Sequence, residues 1–169
     1  MSGVQIREAI EKVSKFLAEK PEKARVKNPT ATAALVDGLK FQISGPAGES
    51  LQSDMPAGLG GGASAPTPWW YMRAALASCN ATCIALQAAK RHVNLAKLEV
   101  TVSSESDNRG MLGLDEQAPA GLQAMRVHVR ISAPGTPEER LDELVRWACS
   151  HSPVGCADTH SAQVEVQIE

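Results

Sequence analysis

Apolar positions along the chain alternate between helical and strand spacing, and these changes divide it into elements. Residues 4–19 carry apolar side chains at about every third or fourth position with charges between them, which predicts an amphipathic N-terminal helix. Pro21 limits this helix. Apolar and small polar residues then alternate on both sides of Asp37-Gly38, a pattern that predicts a hairpin closed by a type I′ turn.

The next stretch is a loop followed by a long helix. Residues 45–66 are rich in Gly, Pro, Ser and Ala, which is typical of a loop. We expect a helix over residues 68–91, because Thr67 can cap it and Pro68 suits the first helical position. Most of its side chains are small and its polar stripe is narrow, so we expect it to be buried on most sides. That stripe consists of Arg73, Asn80 and Gln87.

The remaining elements complete the fold class. Strand-like alternation covers residues 97–104, 125–131 and 163–168, and a helix with a capping box runs from Thr136-Pro137 to about Cys149. The order of helix, hairpin, long helix, two strands, helix and strand predicts an α+β domain with an antiparallel sheet. We expect an N-terminal helix over residues 1–22 and one domain over residues 23–169.

Charge and hydropathy exclude several function classes. The net charge is −2, and the cationic face of the strand around His128 reads as a solvated sheet face, so we expect no nucleic-acid partner. No stretch is long and apolar enough to span a membrane, and the N-terminus lacks the features of a signal peptide. The expected location is therefore the cytoplasm.

The four cysteines form two pairs, too few for a disulfide scaffold at this length. Cys79 and Cys83 lie one turn apart on the long helix, near enough to share a pocket. Ideal helix geometry holds their Cβ atoms about 5–6 Å apart, whereas a disulfide needs about 3.8 Å, so a direct bond would strain the helix. The other pair, Cys149 and Cys156, lies at the end of the later helix and just beyond it.

Two segments that contain these cysteines resemble the OsmC/Ohr family of thiol proteins. In the first, Pro68 opens an Ala-rich helix and Cys79 follows eleven residues later. The second, His151-Ser152-Pro153-Val154, is similar to the family's Cys-Pro-Val or Cys-Pro-Tyr signature, and the element order also agrees. The resemblance implies an OsmC-like fold, an intertwined homodimer with sites at the subunit interface, no cofactor, and reduction of organic hydroperoxides.

The resemblance gives Cys79 the position of the peroxidatic cysteine, but its usual partners differ. Ser152 stands where the family has its second cysteine, and Trp69 stands where a Glu follows the proline. No Arg lies between Lys40 and Arg73 to match the activating one. In an apolar niche without these partners, we expect the pKa of Cys79 at or above its free value of about 8.5.

The sequence therefore leaves two main functions open. One is thiol-dependent reduction of an organic hydroperoxide at Cys79, with Cys156 as the candidate resolving cysteine. The other is non-catalytic binding of a small apolar molecule, favoured by the aromatic run Trp69-Trp70-Tyr71 beside a Gly-rich loop. The expected pocket residues are Trp69, Trp70, Met72, Cys83, His151 and Ser152.

A metal site is the less favoured alternative. Cys149, His151, Cys156 and His160 are side chains of the kinds that bind zinc, and they fall within twelve residues. Their spacing fits no standard zinc finger, so we expect no metal. A serine nucleophile at Ser152 is also disfavoured, because adjacent residues such as His151 rarely point at each other.

Overall fold

A computed structural model describes residues 3–159 of the chain. It contains five helices and five strands in the order α1 (Gly3–Glu19), β1 (Thr32–Asp37), β2 (Lys40–Ser44), β3 (Ser50–Ser53), α2 (Pro68–Lys90), β4 (Lys97–Glu105), α3 (Asn108–Met111), β5 (Gln123–Ser132), α4 (Glu138–Ser150) and α5 (Pro153–Thr159). The expected strand at 163–168 lies outside the described residues. The α+β class with antiparallel strands is confirmed.

The described chain divides into two compact units, and α2 contributes to both. Lys15–Met72 form one unit, and residues 3–14 with 73–159 form the other. Each unit has its own sheet, so the single sheet that the sequence predicts is replaced by a three-stranded sheet β1-β2-β3 and a two-stranded sheet β4-β5. The boundary predicted between residues 22 and 23 stays a prediction.

The first unit contains the expected hairpin with a different turn. Gly38 has a φ of 53°, but its neighbours in the turn keep negative φ. Asp37 pairs with Lys40, so the central residues of the turn are Gly38 and Leu39, one position later than predicted. A type I′ turn needs positive φ at both central residues, so the predicted turn type is also wrong. The sequence also missed β3, which pairs antiparallel with β2 inside the stretch that we expected to be a loop.

Asp54 organises the Gly-rich segment that follows β3. Its carboxylate is buried and accepts hydrogen bonds from the backbone of Met55, Gly62 and Ser64 and from the Ser64 hydroxyl at 2.7–3.2 Å. The bonds from Ser64 contribute most to lowering the pKa of Asp54, which is about 2. A side chain at Gly61 would collide with the Met55 backbone, so only glycine fits the segment there.

The core of the second unit lies between helices α2 and α4 and the β4-β5 sheet. Its fully buried members include Ile84 from α2 and Leu144 from α4. Helix α4 begins at Glu138 after Pro137, and no side chain caps it, so the predicted capping box is wrong. The cationic face of β5 is partly neutralised across the sheet, where the Arg130 guanidinium lies 3.3 Å from the Glu99 carboxylate.

Helix α2 is buried on one side only within a single chain. Asn80 and Gln87, two members of its polar stripe, face inward and are buried, while Met72 and Leu86 are exposed. The polar stripe therefore belongs to the inner face, and the expected burial on most sides does not hold within one chain. Among residues 3–159, no helix has both the length and the apolar content of a membrane span.

Candidate functional site

Helix α2 holds Cys79 and Cys83 one turn apart, facing the segment that joins α4 to α5. The helix begins as predicted, since the Trp70 backbone N–H donates to the Thr67 hydroxyl at 3.2 Å. Both thiols are half-buried. The Cys83 thiol donates to the carbonyl oxygen of His151 at 3.9 Å.

The opposite side of the site is the turn between α4 and α5. Ser152 has no exposed surface, and its hydroxyl accepts from the Gly155 N–H at 3.3 Å. The Cys156 N–H donates to the Ser152 carbonyl at 2.8 Å. These bonds hold the turn that carries Ser152 and Val154, and hydrogen bonding from the Ser152 side chain and the Val154 backbone lowers the pKa of Cys79.

The electrostatics of Cys79 differ from the expectation. Partial burial, the largest single influence, raises the pKa of its thiol, but the donors Ser152, Val154 N–H and Cys83 together outweigh it. The pKa of Cys79 is therefore lower than its ordinary value, a shift in the direction opposite to the expected one. Hydrogen bonds to the charged form favour ionisation.

The other half-buried cysteines shift in the opposite direction. Burial, followed by the charge of Cys79 and by the bond that it donates to Cys79, raises the pKa of Cys83. Burial also raises the pKa of Cys149. The charges of Cys149 and Cys156 also raise the pKa of Cys83, by less than burial and Cys79 do. Cys79 therefore has the greatest thiolate character of the three thiols that shift.

His151 contributes its backbone rather than its ring to this site. Its imidazole stacks on Trp147 with a centroid distance of 3.9 Å, and its Nδ1 lies 2.8 Å from the Trp147 carbonyl oxygen. The same nitrogen lies 3.0 Å from the Ser150 hydroxyl. The ring is thus held by α4, which removes support for a base that would activate Ser152.

The aromatic residues expected in the pocket stand at the start of α2, within the Lys15–Met72 unit. Trp69 is half-buried, and Trp70 is 48% exposed with an edge-on contact to Tyr71. The Tyr71 hydroxyl donates to the Gln52 carbonyl at 2.6 Å, which ties the helix start to β3. Their place in a pocket with Cys79, like that of Met72, stays a prediction.

Three features of this region were missed from the sequence. The first is helix α5, which contains Val154; the available signal was Ser152 before it and Pro153 as its first residue. The second is Asn80, which is buried and whose Oδ1 has no hydrogen-bond partner among the described residues. The third is Arg73, whose guanidinium donates to the Ser104 hydroxyl at 3.3 Å.

No metal centre is formed by the part of the chain that the structure describes. Across residues 3–159, no three His, Cys, Asp or Glu side chains are arranged to hold an ion. Of the suspected ligands, Cys149, His151 and Cys156 lie near one another at the α4–α5 junction, and His160 lies outside the described residues.

Comparison with known sequences identifies the family. The sequence model of a family described as OsmC-like protein matches residues 60–169, which include both segments of the site. This chain belongs to the OsmC family. No curated protein matches the sequence significantly.

Solved structures agree with this OsmC assignment in fold. An OsmC-like protein from Mycoplasma pneumoniae is similar with a TM-score of 0.66 and 18% identity, over 80% of this chain and 89% of that one. An organic hydroperoxide resistance protein from Legionella pneumophila gives 0.59 and 20%, over 79% and 90%. Another from Elizabethkingia anophelis gives 0.57 and 19%, over 79% and 89%.

This OsmC-like chain differs at position 152 from the signature that it resembles. Ser152 replaces the second cysteine of the signature but keeps a contact with the Cys79 sulfur. A hydroxyl can donate to a thiolate, yet it cannot form a disulfide. Position 152 therefore supports ionisation of Cys79.

Proposed function

We propose that this protein is a thiol peroxidase that reduces organic hydroperoxides at Cys79. The carrying observation is that hydrogen bonding from the Ser152 side chain, the Val154 backbone and the Cys83 side chain outweighs partial burial and lowers the pKa of the Cys79 thiol. A thiolate is the nucleophilic form of cysteine, so a depressed pKa favours attack at neutral pH. Family membership and the hydroperoxide resistance proteins among the similar structures support a stress-related role.

The proposed chemistry needs the thiolate and a hydroperoxide. The Cys79 sulfur forms a bond to the terminal peroxide oxygen, the O–O bond breaks, and the alcohol leaves after taking up a proton. Cys79 is oxidised to a sulfenic acid and the hydroperoxide is reduced. A second thiol can then condense with the sulfenic acid to form a disulfide and water. Cys156 is the candidate that the sequence offers.

A homodimer is part of the proposal, as the resemblance implies. Within one chain α2 leaves Met72 and Leu86 exposed, and α1 has no buried residue although its apolar Val13 and Phe16 form part of one side. A partner subunit that covers α2 would make it the buried central helix that its composition predicts. Light scattering of the purified protein in a reducing buffer tests for the homodimer, and a monomer would contradict it.

The second candidate is non-catalytic binding of a small apolar molecule. The observation in its favour is the exposure of Trp70 and Met72 at the start of the same helix that carries Cys79. Exposed aromatic and thioether side chains bind apolar molecules well. Titration of tryptophan fluorescence with short-chain alkyl compounds, in wild type and Trp70→Ala, would detect such binding.

One experiment separates the two candidates. Wild type and Cys79→Ser are treated with one equivalent of cumene hydroperoxide in the presence of a sulfenic-acid trap. We expect wild type to lose the free Cys79 thiol, as trapped sulfenic acid or as a disulfide, while the other thiols of Cys79→Ser stay reduced. If Cys79 stays unmodified while thiols react normally with an alkylating reagent, the peroxidase proposal is wrong.

A further inference from the structure

The thiol that follows Cys79 by one helical turn, Cys83, lies on the same helix α2. Position 152 cannot resolve a sulfenic acid because it carries a hydroxyl. Hydrogen bonding with Cys83 is among the influences that lower the pKa of the Cys79 thiol. The Cys156 thiol donates to the Ser150 carbonyl at 3.6 Å.

We propose that Cys83 is the resolving cysteine of this protein and that the catalytic disulfide forms within helix α2, between Cys79 and Cys83. This rests on the proposed hydroperoxide reduction at Cys79. In this proposal Cys83, which lies outside the second signature segment, takes the resolving role because position 152 carries a serine.

The second step balances without any further oxidant. After a hydroperoxide has oxidised Cys79 to a sulfenic acid, the Cys83 sulfur attacks the Cys79 sulfur. The S–S bond forms, the S–O bond breaks, and the departing hydroxide takes the proton of the Cys83 thiol and leaves as water. A dithiol reductant then returns both cysteines to thiols and is itself oxidised to a disulfide.

The electrostatics of the pair change in the required direction. Burial and the negative charge of Cys79 both raise the pKa of Cys83, whereas the pKa of Cys79 is lowered, so Cys79 ionises more readily than Cys83. A sulfenic acid is neutral at Cys79. Oxidation therefore removes the repulsion and makes Cys83 more acidic at the moment when it must attack.

The strain of this disulfide fits a bond that must be broken in every cycle. Ideal helix geometry places the two Cβ atoms about 1–2 Å farther apart than a relaxed disulfide allows. Closure must distort one turn of α2, where the intervening residues are Asn80, Ala81 and Thr82. Strained disulfides are more easily reduced than relaxed ones, and labile disulfides are those with catalytic or regulatory roles.

The tryptic map of the chain distinguishes the resolving candidates. Arg73 and Lys90 bracket a peptide, residues 74–90, that contains both Cys79 and Cys83. No Lys or Arg follows Arg146, so Cys149 and Cys156 share the C-terminal peptide. A Cys79–Cys83 disulfide makes peptide 74–90 lighter by two hydrogens, whereas the alternatives link it to the C-terminal peptide.

The test oxidises full-length protein with one equivalent of cumene hydroperoxide, blocks free thiols and maps the peptides without reduction. We expect the internally linked peptide 74–90 in wild type and in the matched controls Cys149→Ser and Cys156→Ser. Cys83→Ser and Cys83→Ala should lack it and instead accumulate Cys79 as sulfenic or sulfinic acid. Two variants at position 83 guard against a folding defect in one of them.

The outcomes separate a failure of this inference from a failure of the proposed function. A link between peptide 74–90 and the C-terminal peptide that survives in Cys83→Ser would overturn the inference and leave hydroperoxide reduction intact. A parallel sample is oxidised with diamide, which couples neighbouring thiols without a peroxide. If diamide oxidises Cys79 and the hydroperoxide does not, both the proposed function and the role of Cys83 are wrong.

Discussion

Replacing Ser152 by alanine should slow the reactions of Cys79 at neutral pH. Ser152 is fully buried, its hydroxyl accepts from the Gly155 N–H, and hydrogen bonding from its side chain lowers the pKa of Cys79. A hydrogen bond to a charged group contributes about 1.5–3 kcal/mol, and the lower end applies because Cys79 is only half-buried. Since about 1.4 kcal/mol is a factor of ten, we expect on the order of tenfold less thiolate near pH 7.

The assay is the rate of Cys79 alkylation by iodoacetamide as a function of pH, followed by peptide mapping. Ser152→Ala should move the midpoint of the profile to higher pH, while the rate at its upper plateau should stay close to that of wild type. Ser150→Ala is the matched control, because its exposed hydroxyl bonds to Trp147 and His151 instead. A profile of folded Ser152→Ala that overlays wild type would refute the role of the hydroxyl.

Three further outcomes test the fold. The pKa of Asp54 is about 2, against an ordinary 3.8. Its contribution to stability is therefore complete above about pH 4 and is lost as the pH falls through about 2. Asp54→Asn should lose this pH dependence when acid unfolding is measured. Leu144→Ala should lower the free energy of unfolding in urea by about 2–5 kcal/mol, whereas Leu114→Ala, at an exposed position, should change it by less than about 0.5 kcal/mol. Glu99→Gln removes an exposed pair with Arg130 and should cost less than about 1 kcal/mol, so a larger loss would mean that the pair is buried in the assembled protein.

The elements of this fold could be predicted where local signals were strong. Proline at the first position and Thr67 before it fixed the start of α2, so the place of Cys79 on a long helix followed from neighbouring residues alone. Alternation predicted the bounds of β4 and β5 to within two residues. Helix α5 was missed because Val154-Gly155-Cys156 offers little helical preference, and its start is set by packing and by Ser152.

The chemistry of the site could not be predicted in the same way, because it depends on contacts between distant segments. The sequence shows no charged partner for Cys79, and this predicted a thiol whose pKa is not lowered. The donors that lower its pKa are a hydroxyl, a backbone N–H and a second thiol, and a backbone N–H has no sequence signature of its own. The burial of Asn80 and Gln87 was likewise not predicted, because a polar stripe has the same sequence pattern whether it faces water or a packed interior.

Activation by neutral donors has a consequence that activation by an Arg would not have. The Debye length is about 10 Å at 0.1 M salt, so added salt weakens the attraction between a thiolate and a partly exposed cation, but it has little effect on a short hydrogen bond. Among the described residues, the groups that lower the pKa of Cys79 include no charged side chain. We therefore expect its alkylation by neutral iodoacetamide to change by less than about twofold between low salt and 1 M salt. A severalfold fall in rate would show that a cation, such as one from a partner subunit, completes the site.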